Sequence, residues 1–148
     1  MGDFRYLTAN DIPEAVAMME QFYAIDHYPL DKKRSTALFE TFIADEKLGR
    51  AWLIYHENEI AGYMIMTFIF SFEYGGRIAF IDELFVKDSF RGHGIGKAAV
   101  TYAMQQATKL GLKLLYLEVE QHNSRAQQLY FDAGFSMHNR LLMRHKFE

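Results

Sequence analysis

"ELFVKDSFRGHGIGKAAV", residues 83–100, decides how this chain reads. Its first residues close an apolar run and its last residues open a helical pattern. Between them "RGHGIG" puts glycine at 92, 94 and 96, opened by Arg91 and followed by Lys97. The interior of a strand or a helix avoids such glycines, because each costs backbone entropy. A helix N-terminus accounts for them. It offers unpaired N–H groups and a partial positive charge, and without Cβ atoms an anion can approach the amides closely. Arg91 adds a permanent charge with several donors. The segment reads as a phosphate or pyrophosphate cradle. A sharp strand-to-helix turn with no ligand is the plainer alternative, but one glycine would serve it.

Working outward, the chain alternates between two periodicities. "FRYL" at 4–7 reads as a short strand. "TANDIPEAVAMMEQFYA" at 8–24 begins with capping residues, has Pro13 in an early turn, and spaces Ile12, Val16, Met19, Phe22 and Tyr23 helically. "IDHYPLD" breaks that helix, and "RSTALFETFIADEK" at 34–47 resumes it through Leu38, Phe42 and Ile43. From residue 51 the pattern is strand-like. "AWLIYHE", a turn at Glu57 and Asn58, "IAGYMIMTFIFSF", a turn at "EYGG", and "RIAFIDELFV" make three strands joined as hairpins.

After the glycines, "KAAVTYAMQQATKLG" is helical, with Ile95, Ala98, Ala99, Tyr102 and Gln106 on one face and Gly111 ending it. "KLLYLEVE" at 113–120 is a strand whose apolar run suggests burial on both faces. "NSRAQQLYFDAG" is an amphipathic helix capped by Asn123 or Ser124, and "FSMHNRLLMRHKF" can form one or two final strands. The order β-α-α-β-β-β-α-β-α-β(β) predicts an α/β (α+β) fold with a mixed sheet flanked by helices.

The composition narrows the function. The 148 residues suit one domain, 1–148, with no linker or repeat, and half of them are apolar. A net charge of −3 gives no support for binding nucleic acid or an anionic membrane. No cysteine is present, which excludes disulfides, thiolate metal sites and a cysteine nucleophile. The six histidines show no metal-type spacing, so no metal is expected. The opening "MGDFRY" has no leader pattern, and no apolar run reaches the roughly 18 residues of a membrane span. A cytoplasmic location is the expectation.

Three phosphate-binding patterns compete for the glycines. The nucleotide P-loop needs glycine where Arg91 stands and Ser or Thr where Ala98 stands. The dinucleotide pattern is closer, since "GIGKAA" fits its alanine variant and Glu118 stands roughly where a ribose-binding acid belongs. Yet Gly94 lies eight positions after Val86, where that fold turns tightly, and only about 50 residues follow.

The third pattern fits best. The stretch resembles the R/Q-x-x-G-x-G/A motif of the GCN5-related N-acetyltransferases, the GNAT family, with Arg91, Gly94 and Gly96 in the three named positions. A second stretch, "LEVEQHNSRAQQLYFDAGF", is similar to that family's next signature: Asn123, then a helix with Ala126, Leu129 and Tyr130, then Gly134 and Phe135. The element order resembles the family's along nearly the whole chain, while the motifs span about residues 80–136.

The resemblance implies a central, mostly antiparallel mixed sheet and transfer of an acetyl group from acetyl-CoA to an amine. It implies that Arg91, Gly92, His93, Gly94, Ile95, Gly96 and Lys97 hold the pyrophosphate through backbone amides and nearby charge. His93 stands at a variable position of the motif and is read as facing solvent. Leu84, Phe85 and Val86 would bulge and splay from the "LYLEV" strand, and pantetheine would lie in that opening like an added strand. An N–H near Val86 would polarise the thioester carbonyl. Asn123 would hold pantetheine or adjacent backbone, though a plain helix cap explains it as well. Tyr130, near the cosubstrate sulfur in such enzymes, would protonate the leaving thiolate; packing on an apolar helix face with Ala126, Leu129 and Ala133 is its ordinary alternative.

Amine chemistry demands a base. An alkylamine of pKa about 10.4 is neutral in only about one part in a few thousand at pH 7, a cost of roughly 4–5 kcal/mol. Asp82 and Glu83, acids inside "AFIDELFV", are the candidates. Strand alternation points them to opposite faces. The competing reading is a structural ion pair, with Arg77 or Arg140 as partner; Glu118 and Glu120 rank next as bases.

The acceptor site would be built from "FYAIDHYPLDKK" and "SFEYGG", where Asp26, Asp31 and Glu73 can attract a cation. A small cationic amine is the preferred acceptor, with polyamines, aminoglycosides and protein amines open. A homodimer is admitted. Two other functions stay open: an acetyl-CoA-binding module without catalysis, and a nucleotide-dependent oxidoreductase.

Overall fold

Local chemistry sets most element boundaries. The computed structural model describes residues 3–148. Strand β1, Asp3–Tyr6, leads into a single 3₁₀ turn, where Asp11 Oδ2 accepts from the Thr8 N–H at 2.9 Å. Helix α1, Ile12–Ile25, carries Pro13 in its first turn, where no N–H is missed. Helix α2, Lys32–Ile43, is capped by Asp31, whose carboxylate accepts from the Arg34 N–H at 3.1 Å. Strands β2, Gly49–His56, and β3, Glu59–Ser71, join through Glu57 and Asn58, both left-handed at φ 50° and 68°. Two such residues in succession make the tight hairpin turn that matches strand twist. Then come β4, Gly76–Val86, a 3₁₀ turn at Asp88–Phe90, α3, Ile95–Lys109, β5, Leu115–Leu117, and α4, Ser124–Asp132.

The chain divides into two compact units, Met1–Glu118 and Val119–Glu148. The first contains a five-stranded sheet in the order β1-β2-β3-β4-β5. The first four strands are antiparallel neighbours; β5 lies parallel to β4, with α3 as the crossover that parallel pairing requires. Leu53, Tyr63, Ile65 and Phe85 face α1 and α2, packing on Ala15, Val16, Met18, Met19 and Phe39. The alternate residues Trp52, Ile54, Met64 and Met66 fill the other face and are fully buried. There Tyr102 of α3 meets the Trp52 ring edge-on at 5.6 Å and stacks on Phe4 at 4.1 Å. The second unit consists of α4 and the residues around it.

Three expectations change. Leu38 does not face the core; it is exposed, and α2 buries Ser35 and Phe39 instead. The β5 run is half-buried, because only three residues pair with β4 and the strand ends the sheet. Residues 135–147 form no strand, and Leu141, Leu142 and Met143 are exposed. Their apolar residues cluster without alternation between Arg140 and Arg144, so no one face is marked for a ladder. Among the described residues no helix is long and apolar enough to cross a membrane.

Candidate active site

The site begins with an irregularity in β4. Met66 stands opposite Ile81, but the next residue of β3, Ile65, stands opposite Glu83. Asp82 is the extra residue of a β-bulge. One inserted residue reverses the alternation. Glu83 therefore shares a face with Ile65, Tyr63 and Phe85, towards α1, where unbroken alternation from Ile81 would have turned it to the α3 side. Asp82 itself has no partner in the ladder and is exposed. The expected bulge at Leu84, Phe85 and Val86 is also displaced: those residues pair regularly with Met64, Tyr63 and Gly62, and the bulge lies two positions earlier.

Glu83 is half-buried and has two phenolic partners. The Tyr23 hydroxyl of α1 donates to Oε2 at 2.5 Å, and the Tyr63 hydroxyl of β3 donates to Oε1 at 2.6 Å. Burial pushes the Glu83 carboxyl above the ordinary range; the two hydrogen bonds pull it down, and the neighbouring Asp82 charge adds to the rise. Burial and the same carboxylate push both phenols up, so they remain protonated donors. These tyrosines are the partners Glu83 finds on α1 and β3, and Arg77, one of the two arginines considered for an ion pair, lies over the Phe68 ring at 4.3 Å. Asp82 reaches solvent, but the surrounding protein still pushes its carboxyl up and the Glu118 charge adds to the effect.

Beyond Ile81, β4 has no ladder to β5; the pairs are Ala79 with Leu115, Phe80 with Tyr116 and Ile81 with Leu117. Leu84, Phe85 and Val86 thus keep a β3 partner on one side only. Gly62 is what lets β3 and β4 lie so close there, since a Cβ on it would stand 2.0 Å from the Phe85 carbonyl oxygen.

The glycine loop follows directly. Gly94 is the residue before α3, left-handed at φ 74°, and a Cβ built on it meets no protein atom within 4 Å. Packing therefore does not demand a glycine here: the backbone conformation does, and the space outside the helix start stays open for an anion. Gly92 is alike, and Gly96 lies in the first turn of the helix. Ile95 is buried and anchors the turn, while Lys97 is exposed. Arg91 is committed to the protein. Its Nη1 meets Asp88 at 2.8 Å and its Nε donates to the Val86 carbonyl at 3.3 Å, tying the loop to the end of β4. His93 is exposed but lies 5.4 Å from the His56 ring.

Asn123 and Tyr130 belong to the second unit. The Asn123 side-chain oxygen accepts from the Ala126 N–H at 3.1 Å and caps α4. Tyr130 is half-buried, edge-on to Phe135 at 6.0 Å, and burial pushes its phenol up. Asp31, expected to attract the acceptor, spends its carboxylate as the α2 cap.

Residues 16–135 match the family model described as the acetyltransferase (GNAT) family. The chain belongs to the GNAT family. As a GNAT protein it is an acyltransferase of the N-acetyltransferase type. It is 28% identical over 135 residues to the uncharacterized N-acetyltransferase YjgM of Escherichia coli (strain K12), covering 88% of this chain and 80% of that protein. It is 32% identical over 75 residues to the thialysine N-epsilon-acetyltransferase of Bos taurus, covering 51% of this chain and 44% of that one. An integron cassette protein from the mobile metagenome of Cole Harbour Salt Marsh superposes with a TM-score of 0.88 at 32% identity, covering 98% of this chain and 90% of its own. Within this GNAT frame the sequence reading missed the hydrogen bonds of Tyr23 and Tyr63 to Glu83; it placed Tyr23 on the apolar face of α1 and in the acceptor stretch, and Tyr63 within an apolar strand. The available signal was the acid itself: a carboxylate in an apolar strand needs donors, and tyrosine brings one on an apolar body.

Proposed function

We propose that the chain transfers the acetyl group of acetyl-CoA to the primary amine of a small cation, by direct attack in a ternary complex. The single observation that carries the catalytic part is Glu83: a half-buried carboxylate with raised proton affinity, turned by a bulge to the α1 face, beside strand residues that lack a second ladder. The residues fit acetyl-CoA. The open space at Gly92 and Gly94, at the start of a 15-residue helix, suits a pyrophosphate, and the free side of Leu84, Phe85 and Val86 suits an extended amide chain.

In this reading acetyl-CoA supplies an activated acyl carbon and a thiolate leaving group. Glu83 takes one proton from the incoming ammonium. The freed nitrogen lone pair forms the new C–N bond as the C–S bond breaks, and the nitrogen gives its second proton to solvent, leaving a neutral amide. Tyr130 gives its phenolic proton to the departing sulfur and is reprotonated from solvent. Asp82, with Glu118, keeps the entrance negative and favours a cationic acceptor. The bovine relative's name, which specifies the ε-amine of thialysine, supports a small amino cation over a protein amine.

The test is product identification by mass spectrometry after incubation with acetyl-CoA and four acceptor classes: thialysine and lysine, polyamines, aminoglycosides, and peptides. The account expects acetylation in the first class, with release of one CoA thiol per product. Acetyl-CoA binding with no acceptor modified would favour a binding module, and NAD(P) binding in its place would favour an oxidoreductase.

A further inference from the structure

We infer that Tyr23 and Tyr63 are positioning residues for the transfer reaction, each holding one oxygen of Glu83. The inference rests on the reading of Glu83 as the base. It starts from a constellation no single element contains: Tyr23 is 60 positions and Tyr63 20 positions from Glu83, and α1, β3 and β4 meet only in the fold. Tyr63 is wholly buried in the sheet, diagonal to Glu83 across the β3–β4 ladder, and is the fixed support. Tyr23 is partly buried near the end of α1, just before the connection to α2.

The arrangement has a definite electrostatic sense. A buried carboxylate favours protonation, and a protonated Glu83 cannot accept the amine proton. Two phenols that only donate stabilise the ionised form and fix its plane. Each carboxylate oxygen keeps a further lone pair, so an ammonium can be received without displacing either tyrosine. The phenols are held protonated by burial and by Glu83, so the proton taken from the amine stops at Glu83. The other charges acting on the cluster are Asp82 on β4 and Arg34 on α2, the latter through Tyr23. Both differ from the tyrosines in making no hydrogen bond to the base.

The experiment compares wild type, Tyr23→Phe, Tyr63→Phe and Glu83→Gln in two readouts: kcat/KM for the best small amine against pH, and the carboxyl ¹³C titration of Glu83 in glutamate-labelled protein. Thermal melts report folding. Loss of one donor is expected to move the Glu83 titration and the acidic limb of the rate profile upward together by about one pH unit, a loss of about tenfold below the midpoint that disappears at high pH. A merely structural tyrosine lowers the rate at every pH and leaves both midpoints in place, which overturns the inference. If Tyr63→Phe does not fold, Tyr23→Phe decides, since its ring keeps its packing and loses only a partly buried hydroxyl. The base reading fails separately: Glu83→Gln would then keep the wild-type rate and profile. A ¹³C shift without a rate shift leaves the tyrosines as modifiers of Glu83 alone and overturns their part in transfer.

Discussion

Tyr63 donates to Glu83 Oε1 at 2.6 Å from a position without solvent contact. The half-buried carboxylate it meets makes stability depend on pH, and the sign follows from the direction of the shifts. Burial raises Glu83 and Asp82 above their unfolded values. Between the unfolded and folded midpoints the native state holds more protons than the unfolded one, so stability falls as pH rises through that window. Thermal melts from acid to neutral pH are expected to show this decline. Asp82→Asn should flatten it: the variant matches wild type at low pH and equals or exceeds it at neutral pH. A wild type whose stability rises through the same window contradicts the assignment. With Glu83 as the proton acceptor, the same variant should keep kcat close to wild type and raise KM for a cationic amine, since the entrance loses a negative charge.

Gly62 sets the separation of β3 from the end of β4. Gly62→Ala places a methyl carbon 2.0 Å from the Phe85 oxygen, and both are backbone-held. The strands must part at Phe85 and Val86. The expected cost is about 1–3 kcal/mol of stability, as for other overpacked sites. Acetyl-CoA affinity should fall as well, because the edge that would receive it is displaced. A chemical melt with an acetyl-CoA titration measures both; unchanged affinity would remove the β4 edge from the binding site.

Gly96 separates ligand binding from folding. It lies inside α3, so Gly96→Ala should leave stability unchanged or raise it by about 0.5–1 kcal/mol. A pyrophosphate on the first-turn amides would be crowded by the new methyl group. Acetyl-CoA affinity is expected to drop about tenfold, or about 1.4 kcal/mol. Calorimetric titration decides: a stable variant with wild-type affinity denies the cradle.

Tyr130→Phe keeps the ring against Phe135 and removes the hydroxyl. If Tyr130 protonates the leaving thiolate, the single-turnover rate should fall roughly 10²-fold, at the low end for a general acid. Acetyl-CoA affinity and melting temperature should barely move. An undiminished single-turnover rate leaves Tyr130 a packing residue.

Much of this was legible locally. The turn at Glu57 and Asn58, the Asn123 cap and the glycines before α3 each carry their own short-range chemistry, and the structure uses them where the sequence places them. What failed to show was non-local. "AFIDELFV" is apolar almost throughout, so it has no alternation from which a phase reversal at Asp82 can be read. Tyr23 and Tyr63 fit their own hydrophobic patterns and gain meaning only when α1 and β3 meet at Glu83. The segment after Phe135 contains apolar residues, but a strand is a property of a pair, and nothing within a single segment states its partner.

The central claim is that Glu83 takes the proton from the amine. The most direct measurement is the single-turnover rate of acetyl transfer by Glu83→Gln against pH, at saturating acetyl-CoA with one small amine. The account predicts a loss of roughly 10²–10⁴-fold at neutral pH, shrinking steadily as pH approaches the amine's own pKa and the free base supplies itself. A folded variant with the wild-type rate and the wild-type pH dependence would contradict it.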